Sequence, residues 1–226
     1  MVVKASDAGT ALSTVAHILV THDVVQPEGF NALLRVARDI GREKNAVSWS
    51  VSVDRGDPIL FKKTKDRSNN WITPAIVSKG IEIAQSDEIQ LPFKALDIAL
   101  EIDDDFNNPV SRWHLDLANK QEGAYQSGPI THLQYGGHHH AARAHDHPLK
   151  VPRWCHPPME VALLCEVVAA NFYEEDWLKL REDPNWCDAI SLYERLCYSH
   201  YVDQLQNSLF VSSTTALNRM WASSHD

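Results

Sequence analysis

Between Ala95 and Tyr135 the chain changes polarity at almost every second residue, and this period-two pattern constrains the fold more than any other feature. Side chains alternate across a strand, so each stretch sorts into two faces. Ala95–Asp103 places Leu96, Ile98, Leu100 and Ile102 on one face and Asp97, Ala99, Glu101 and Asp103 on the other. Val110–Ala118 places Trp113, Leu115 and Leu117 opposite Arg112, His114 and Asp116. Pro129–Tyr135 places Thr131, Leu133 and Tyr135 opposite His132 and Gln134. An earlier stretch, Ala46–Asp54, sorts the same way, with Val47, Trp49, Val51 and Val53 against three serines. The run Asp104-Asp105-Phe106-Asn107-Asn108-Pro109 is turn chemistry, and Gly123 to Gly128 reads as a longer loop. A meander of antiparallel strands follows.

Helical periodicity flanks the strands. Over residues 10–44 two helical segments are broken near Gln26-Pro27-Glu28-Gly29, and the second carries Phe30, Leu33, Leu34, Ala37 and Ile40. Pro157-Pro158 suits a helix's first turn, and Met159 to Phe172 is apolar almost all round, as in a buried helix. Asp183 with Pro184 signals a further helix start, followed by Trp186, Ile190, Tyr193, Cys197, Tyr201 and Leu205 at helical spacing. Residues 56–90 read as a long connection with one strand and one short helix at most. The expectation is one α+β domain over 1–226: helical at 10–44, sheet at about 46–135, a histidine-rich loop at 136–156, helical at 157–210. Its antiparallel sheet has four or more strands, with the N-terminal helices and a C-terminal helical pair packed on the apolar face.

A chain with 21 Lys+Arg against 30 Asp+Glu carries a formal charge of −9, which disfavours coating nucleic acid through charge alone. No apolar run reaches the roughly 18 residues of a membrane span, and no apolar leader precedes His17. Four cysteines without C-x-x-C spacing read as free thiols in a reducing compartment. These features point to a cytoplasmic protein with no membrane anchor.

Solvated sheet faces favour Lys, Thr and Glu, whereas this one gathers His, Asp, Arg and Gln, residues that bind metals, move protons or hold anions. A plain solvated face is the bland alternative. On the functional reading, Glu101, His114, Asp116 and His132 bind a divalent metal ion, while His114, His132, Arg112 and Gln134 do the catalysis. A metal-free version uses His114 and His132 as an acid–base pair, with Arg112 stabilising developing charge.

Seven of twelve histidines lie between His132 and His156. His138–His140 reads as a polar loop, and His145, His147, Cys155 and His156 match zinc ligand types without standard spacing. His156 is placed to cap the buried helix or to point into the site. No G-x-G-x-x-G, P-loop or G-x-S-x-G occurs. The expected function is a metal-assisted hydrolase of a phosphodiester or related phosphate bond, its partner a phosphate-containing small molecule, RNA or DNA. The alternative is a non-catalytic binding or assembly subunit of a larger bacterial complex, with a protein partner or homo-oligomer, supported by Trp71, Trp154, Trp177 and Trp221 outside clear core stripes.

Overall fold

The computed structural model describes residues 2–85, 91–118, 120–121, 124–125, 127–136, 151–211 and 213–222. Two helices open the chain, α1 (Ala5–Thr21) and α2 (Pro27–Gly41). The first begins five residues before the expected start at residue 10, because Ala5 and Ala8 are buried and extend its apolar stripe. The two helices pack closely at Gly9, where an added Cβ would sit 2.6 Å from the Ala37 carbonyl oxygen. Pro27 takes the first position of α2, where its missing N–H costs nothing.

Six strands follow before the sheet's last members: β1 (Ser48–Val53), β2 (Ile59–Leu60), β3 (Thr64–Lys65), β4 (Trp71–Ala84), β5 (Phe93–Asp104) and β6 (Pro109–Leu117). After them come β7 (Lys120–Gln121), β8 (Ala124–Tyr125), β9 (Gly128–Pro129), β10 (Thr131–Tyr135) and β11 (Trp154–Cys155). The main sheet is antiparallel and eight-stranded, in the order β1-β4-β5-β6-β10-β11, with β2 and β3 also on β4. The α+β class and the antiparallel sheet are therefore as the alternation implied.

The stretch expected to be a connection instead supplies the sheet's longest strand. β4 runs for 14 residues between β1 and β5, so Ala46–Asp54 is not the direct neighbour of Ala95–Asp103. Its residues from Ile72 to Ser78 are all buried, which removes the alternation that marks a half-exposed strand. Pro74 turns its carbonyl to the Phe61 N–H (3.0 Å), so its own nitrogen faces the gap between β2 and β3 and no bond to β5 is lost. A register shift at Ser78/Gly80 bulges the strand beside Lys79.

Two hairpins share one turn chemistry. Asp104 Oδ1 accepts from the amides of Phe106 and Asn108, both at 2.8 Å, with Asn107 in the left-handed region at φ 61. Asp66 Oδ1 does the same for Ser68 and Asn70, with Asn69 at φ 66. These hydrogen bonds hold both aspartates below the usual carboxylate range.

The C-terminal part contains α3 (Val161–Phe172), α4 (Glu174–Leu180), α5 (Pro184–Leu209), α6 (Ala216–Arg219) and the short β12 (Trp221–Ala222), which pairs with β9. Pro157-Pro158 precedes α3 rather than forming its first turn. Glu160 is the N-cap, its carboxylate accepting from the Ala162 amide at 2.5 Å. Asp183 caps α5 as its sequence signal indicated, and the buried Tyr193 of that helix donates to the Ala8 carbonyl at 2.7 Å. Val51, Ile81, Leu96, Ile98, Leu100 and Leu115 of the sheet share one core with the helices at both ends of the chain. Among the described residues no helix is long and apolar enough to cross a membrane.

Candidate functional site

The face of β5, β6 and β10 turned away from this core holds the candidate site, and register decides which of its side chains meet. Glu101 lies opposite Arg112, Ala99 opposite His114 and Asp97 opposite Asp116. On the other side of β6, Gln134 pairs with His114 and His132 with Asp116. Side chains directly opposite on antiparallel strands sit about 4.5–5.5 Å apart at Cβ, so these are contacts.

His114, Asp116 and His132 each offer a ligand atom within 4.8 Å of the others. His114 is 5% exposed and His132 3%. The two imidazole rings stand 6.3 Å apart at 79°. Gly136 fixes the first of them. At φ 83 it takes a conformation that L side chains rarely adopt, and its carbonyl folds back over β6. That oxygen lies 3.0 Å from His114 Nδ1 and accepts from Arg112 Nη1 at 2.9 Å. A carbonyl only accepts, so His114 carries a proton on Nδ1, and its Nε2 faces Asp116 Oδ2 at 3.0 Å. A proton on Nε2 or a metal ion shared by the two atoms satisfies both at that distance. A histidine donating its second ring N–H to a backbone carbonyl is the usual support for a metal ligand.

The second histidine makes the same point differently. His132 Nδ1 is buried without a hydrogen-bond partner among the described residues. Burial pushes the pKa of this ring down, opposed by the Asp116 carboxylate and the Pro129 carbonyl, which favours the neutral, ligating form. Asp97, one place along the row, is pushed up by burial first and by Asp116 second.

The other expected residues divide. Arg112 is 5% exposed, and its Nε donates to Glu101 Oε1 at 3.1 Å. Glu101 takes Arg55 as well, so it serves the ion-pair network and is not part of the three-residue cluster. Gln134 faces Arg153, whose Nε approaches its Oε1 at 3.4 Å. His156 does not cap α3: its Nδ1 sits 2.8 Å from the Pro157 carbonyl, and its own carbonyl accepts from Thr131 Oγ1 at 2.6 Å. Cys155 Sγ lies 3.3 Å from Tyr201 Oη, and all four cysteines are free. The tract from His138 to His147 lies outside the described residues.

Sequence reasoning passed over Arg55 and Lys79. With Ser52, Asp97 and Arg112 they line a cleft of about 360 Å3 whose wall includes the sheet neighbours of the histidine cluster. Arg55 lies two residues past the end of β1 and Lys79 sits at a bulge, so no period marked either of them. Two imidazoles and a carboxylate suit a hard or borderline divalent ion and leave coordination positions open, as catalytic rather than structural sites do. No protein-family model, curated protein or solved structure matches the chain.

Proposed function

We propose that the protein is a hydrolase of a phosphodiester or related phosphate bond, assisted by a divalent ion held by His114, Asp116 and His132. The observation that supports this reading is the convergence of these three side chains, both histidines buried and Asp116 half-buried, with an unpartnered nitrogen on His132 and His114 Nε2 facing Asp116 Oδ2 at 3.0 Å. Leaving a buried polar nitrogen unpaired costs about 1–3 kcal/mol, an arrangement expected where a ligand completes the site.

Bound there, a divalent ion supplies Lewis acidity and lowers the pKa of water. The chain's own residues do the rest. His114, Asp116 and His132 would hold the ion beside the cleft that Asp97 and Arg112 line. Arg112, fixed by Glu101 and the Gly136 carbonyl, presents a guanidinium to the phosphate oxygens and to charge growing on them. The water oxygen forms the new bond to phosphorus, the ester oxygen leaves, and a proton passes from the water to that oxygen. Asp97 borders both the cluster and the cleft and is placed to carry that proton.

The assembly-subunit reading keeps one supporting observation: Trp71, Trp113, Trp154 and Trp221 are each more than a third exposed. Arg112, His114 and His132, however, are buried on neighbouring strands rather than spread over an open face, which favours the hydrolase reading. Elemental analysis and hydrolysis of bis-p-nitrophenyl phosphate by the wild type, His114→Ala and His132→Ala test the proposal. The expected result is a bound ion and hydrolysis in the wild type, both lost in each variant. Metal content and hydrolysis unchanged in both variants would end it.

A further inference from the structure

The cleft beside the cluster has a chemistry of its own. Its wall carries three cationic side chains, Arg55, Lys79 and Arg112, against two carboxylates, Asp54 and Asp97. Two of the cations keep hydrogen-bonding capacity toward it. Arg112 spends Nε on Glu101 and Nη1 on Gly136, but its Nη2 comes no nearer than 3.9 Å to Asp97 Oδ1. Lys79 Nζ stops 3.6 Å from the other Asp97 oxygen. Both contacts exceed the roughly 2.7–3.2 Å of a hydrogen bond, so each pair attracts without being closed. Arg112 is buried and held from behind by Glu101, which makes it a preorganised anion donor rather than a surface charge.

Size and surroundings limit what enters. A volume of about 360 Å3 lies near the lower end of small-molecule sites, which run from roughly 300 to 1,000 Å3. A neighbouring cleft of about 370 Å3 shares Ser52 and Lys79 but adds the carboxylates Asp39 and Glu82. A strand carrying one phosphate after another would meet those carboxylates on leaving the first cleft, and the chain's net charge of −9 opposes a polyanion further.

We infer that the Arg55–Lys79–Arg112 cleft is the substrate's phosphate subsite and takes a small organic phosphate of about mononucleotide size rather than a nucleic-acid strand. The inference rests on the proposed hydrolase for its place in catalysis, but binding at the cleft uses only the chain's own cations. The Ser52 hydroxyl and the Asp54 carboxylate give the organic part a donor and an acceptor at the rim.

The test is calorimetric titration of the full-length protein with adenosine 5′-monophosphate, inorganic phosphate and a single-stranded oligonucleotide, with chelator present. The mononucleotide should bind best, Lys79→Ala should weaken it about tenfold, and Lys179→Ala, at an equally exposed lysine on α4 outside the cleft, should leave it unchanged. Lys79 is well exposed, so its removal does not threaten folding. No binding of the mononucleotide, or no effect of Lys79→Ala, overturns the inference. Tighter binding of the oligonucleotide, or equal binding of inorganic phosphate, overturns the size class. Metal content of chelator-free samples is read separately. Intact metal with no mononucleotide binding removes the subsite and leaves the hydrolase reading standing; mononucleotide binding without metal does the reverse.

Discussion

The two faces of the β5–β6–β10 strands are buried to a similar degree for opposite reasons. On one, Ile98 and Leu115 meet across the register and join the helices in a single core, so burial itself is the driving force. On the other, Glu101, Arg112, His114 and His132 are each less than a tenth exposed, and every one of them loses hydration on the way in. Glu101 and Arg112 recover that loss by pairing, whereas His132 leaves a nitrogen without a partner. A face that takes polar groups out of water and satisfies only some of them gains less from burial than the apolar face does. On the proposed function, the contrast marks where the fold gives up free energy to hold the ion and its substrate.

The largest expected effects separate the two kinds of burial. Glu101→Ala strands the buried Arg112 guanidinium and should cost about 3–5 kcal/mol in urea denaturation. Ile98→Ala on the apolar face should cost a similar amount, about 2–5 kcal/mol, through lost transfer energy and a cavity. The distinction lies in rescue. Replacing both members of the ion pair, as Glu101→Leu with Arg112→Met, should recover most of the stability lost in Glu101→Ala, because the buried guanidinium goes with its carboxylate and the Arg55 charge is exposed enough to be hydrated. A double variant as unstable as the single one would mean that the pair itself, rather than the desolvated charge, supports the sheet.

Glu160 offers a sharper contrast with Glu101, since both are buried glutamates and only one has cations. Burial pushes the Glu160 carboxyl up to about 8 from its ordinary 4.5, against the pull of the amides at the start of α3. The unfolded chain therefore gives up this proton as pH rises past about 4.5, while the folded chain keeps it until about 8. Its contribution to stability is full at low pH and falls across that window, levelling off above it. Asp97, Asp103 and Glu166, also pushed up chiefly by burial, add in the same direction, so the comparison is best made as a difference. The gap in stability between wild type and Glu160→Gln, followed by urea midpoint, should shift in favour of the variant from about pH 5 to about pH 9. A gap that stays constant over that range would show that Glu160 titrates normally.

Much of this site was legible because alternation assigns faces without knowing register. Arg112, His114, Asp116 and His132 were placed together on that ground alone. Register was not legible, and it is what gives Glu101 to the arginines rather than to the histidines. β4 was hidden by its own burial: a strand covered on both sides has no polar beat, and Pro74 and Gly80 resemble loop residues. The two Asp-x-x-Asn-Asn turns show how context biases a reading. Asp104 to Asn108 stood between two clear strands, while Asp66 to Asn70 followed a run of lysines that reads as an exposed loop. Glu160 gave little warning because N-caps are usually Ser, Thr, Asp or Asn.

The smallest effect is the one that ties the two faces together. If His132 Nδ1 is unpaired in the folded chain, then His132→Leu removes a buried polar group whose desolvation outweighs what Asp116 and the Pro129 carbonyl return to it without an ion. The metal-free variant should be more stable than the metal-free wild type by about 1 kcal/mol, with the urea midpoint raised and the slope unchanged. Adding the divalent ion should reverse the order, because ligand binding stabilises only a folded state that can hold it, and the variant has lost a ligand. A less stable metal-free variant would show that His132 contributes to the fold as the residues on the opposite face do. The polar side of the sheet would then be structure, and the contrast between the faces would carry no functional meaning.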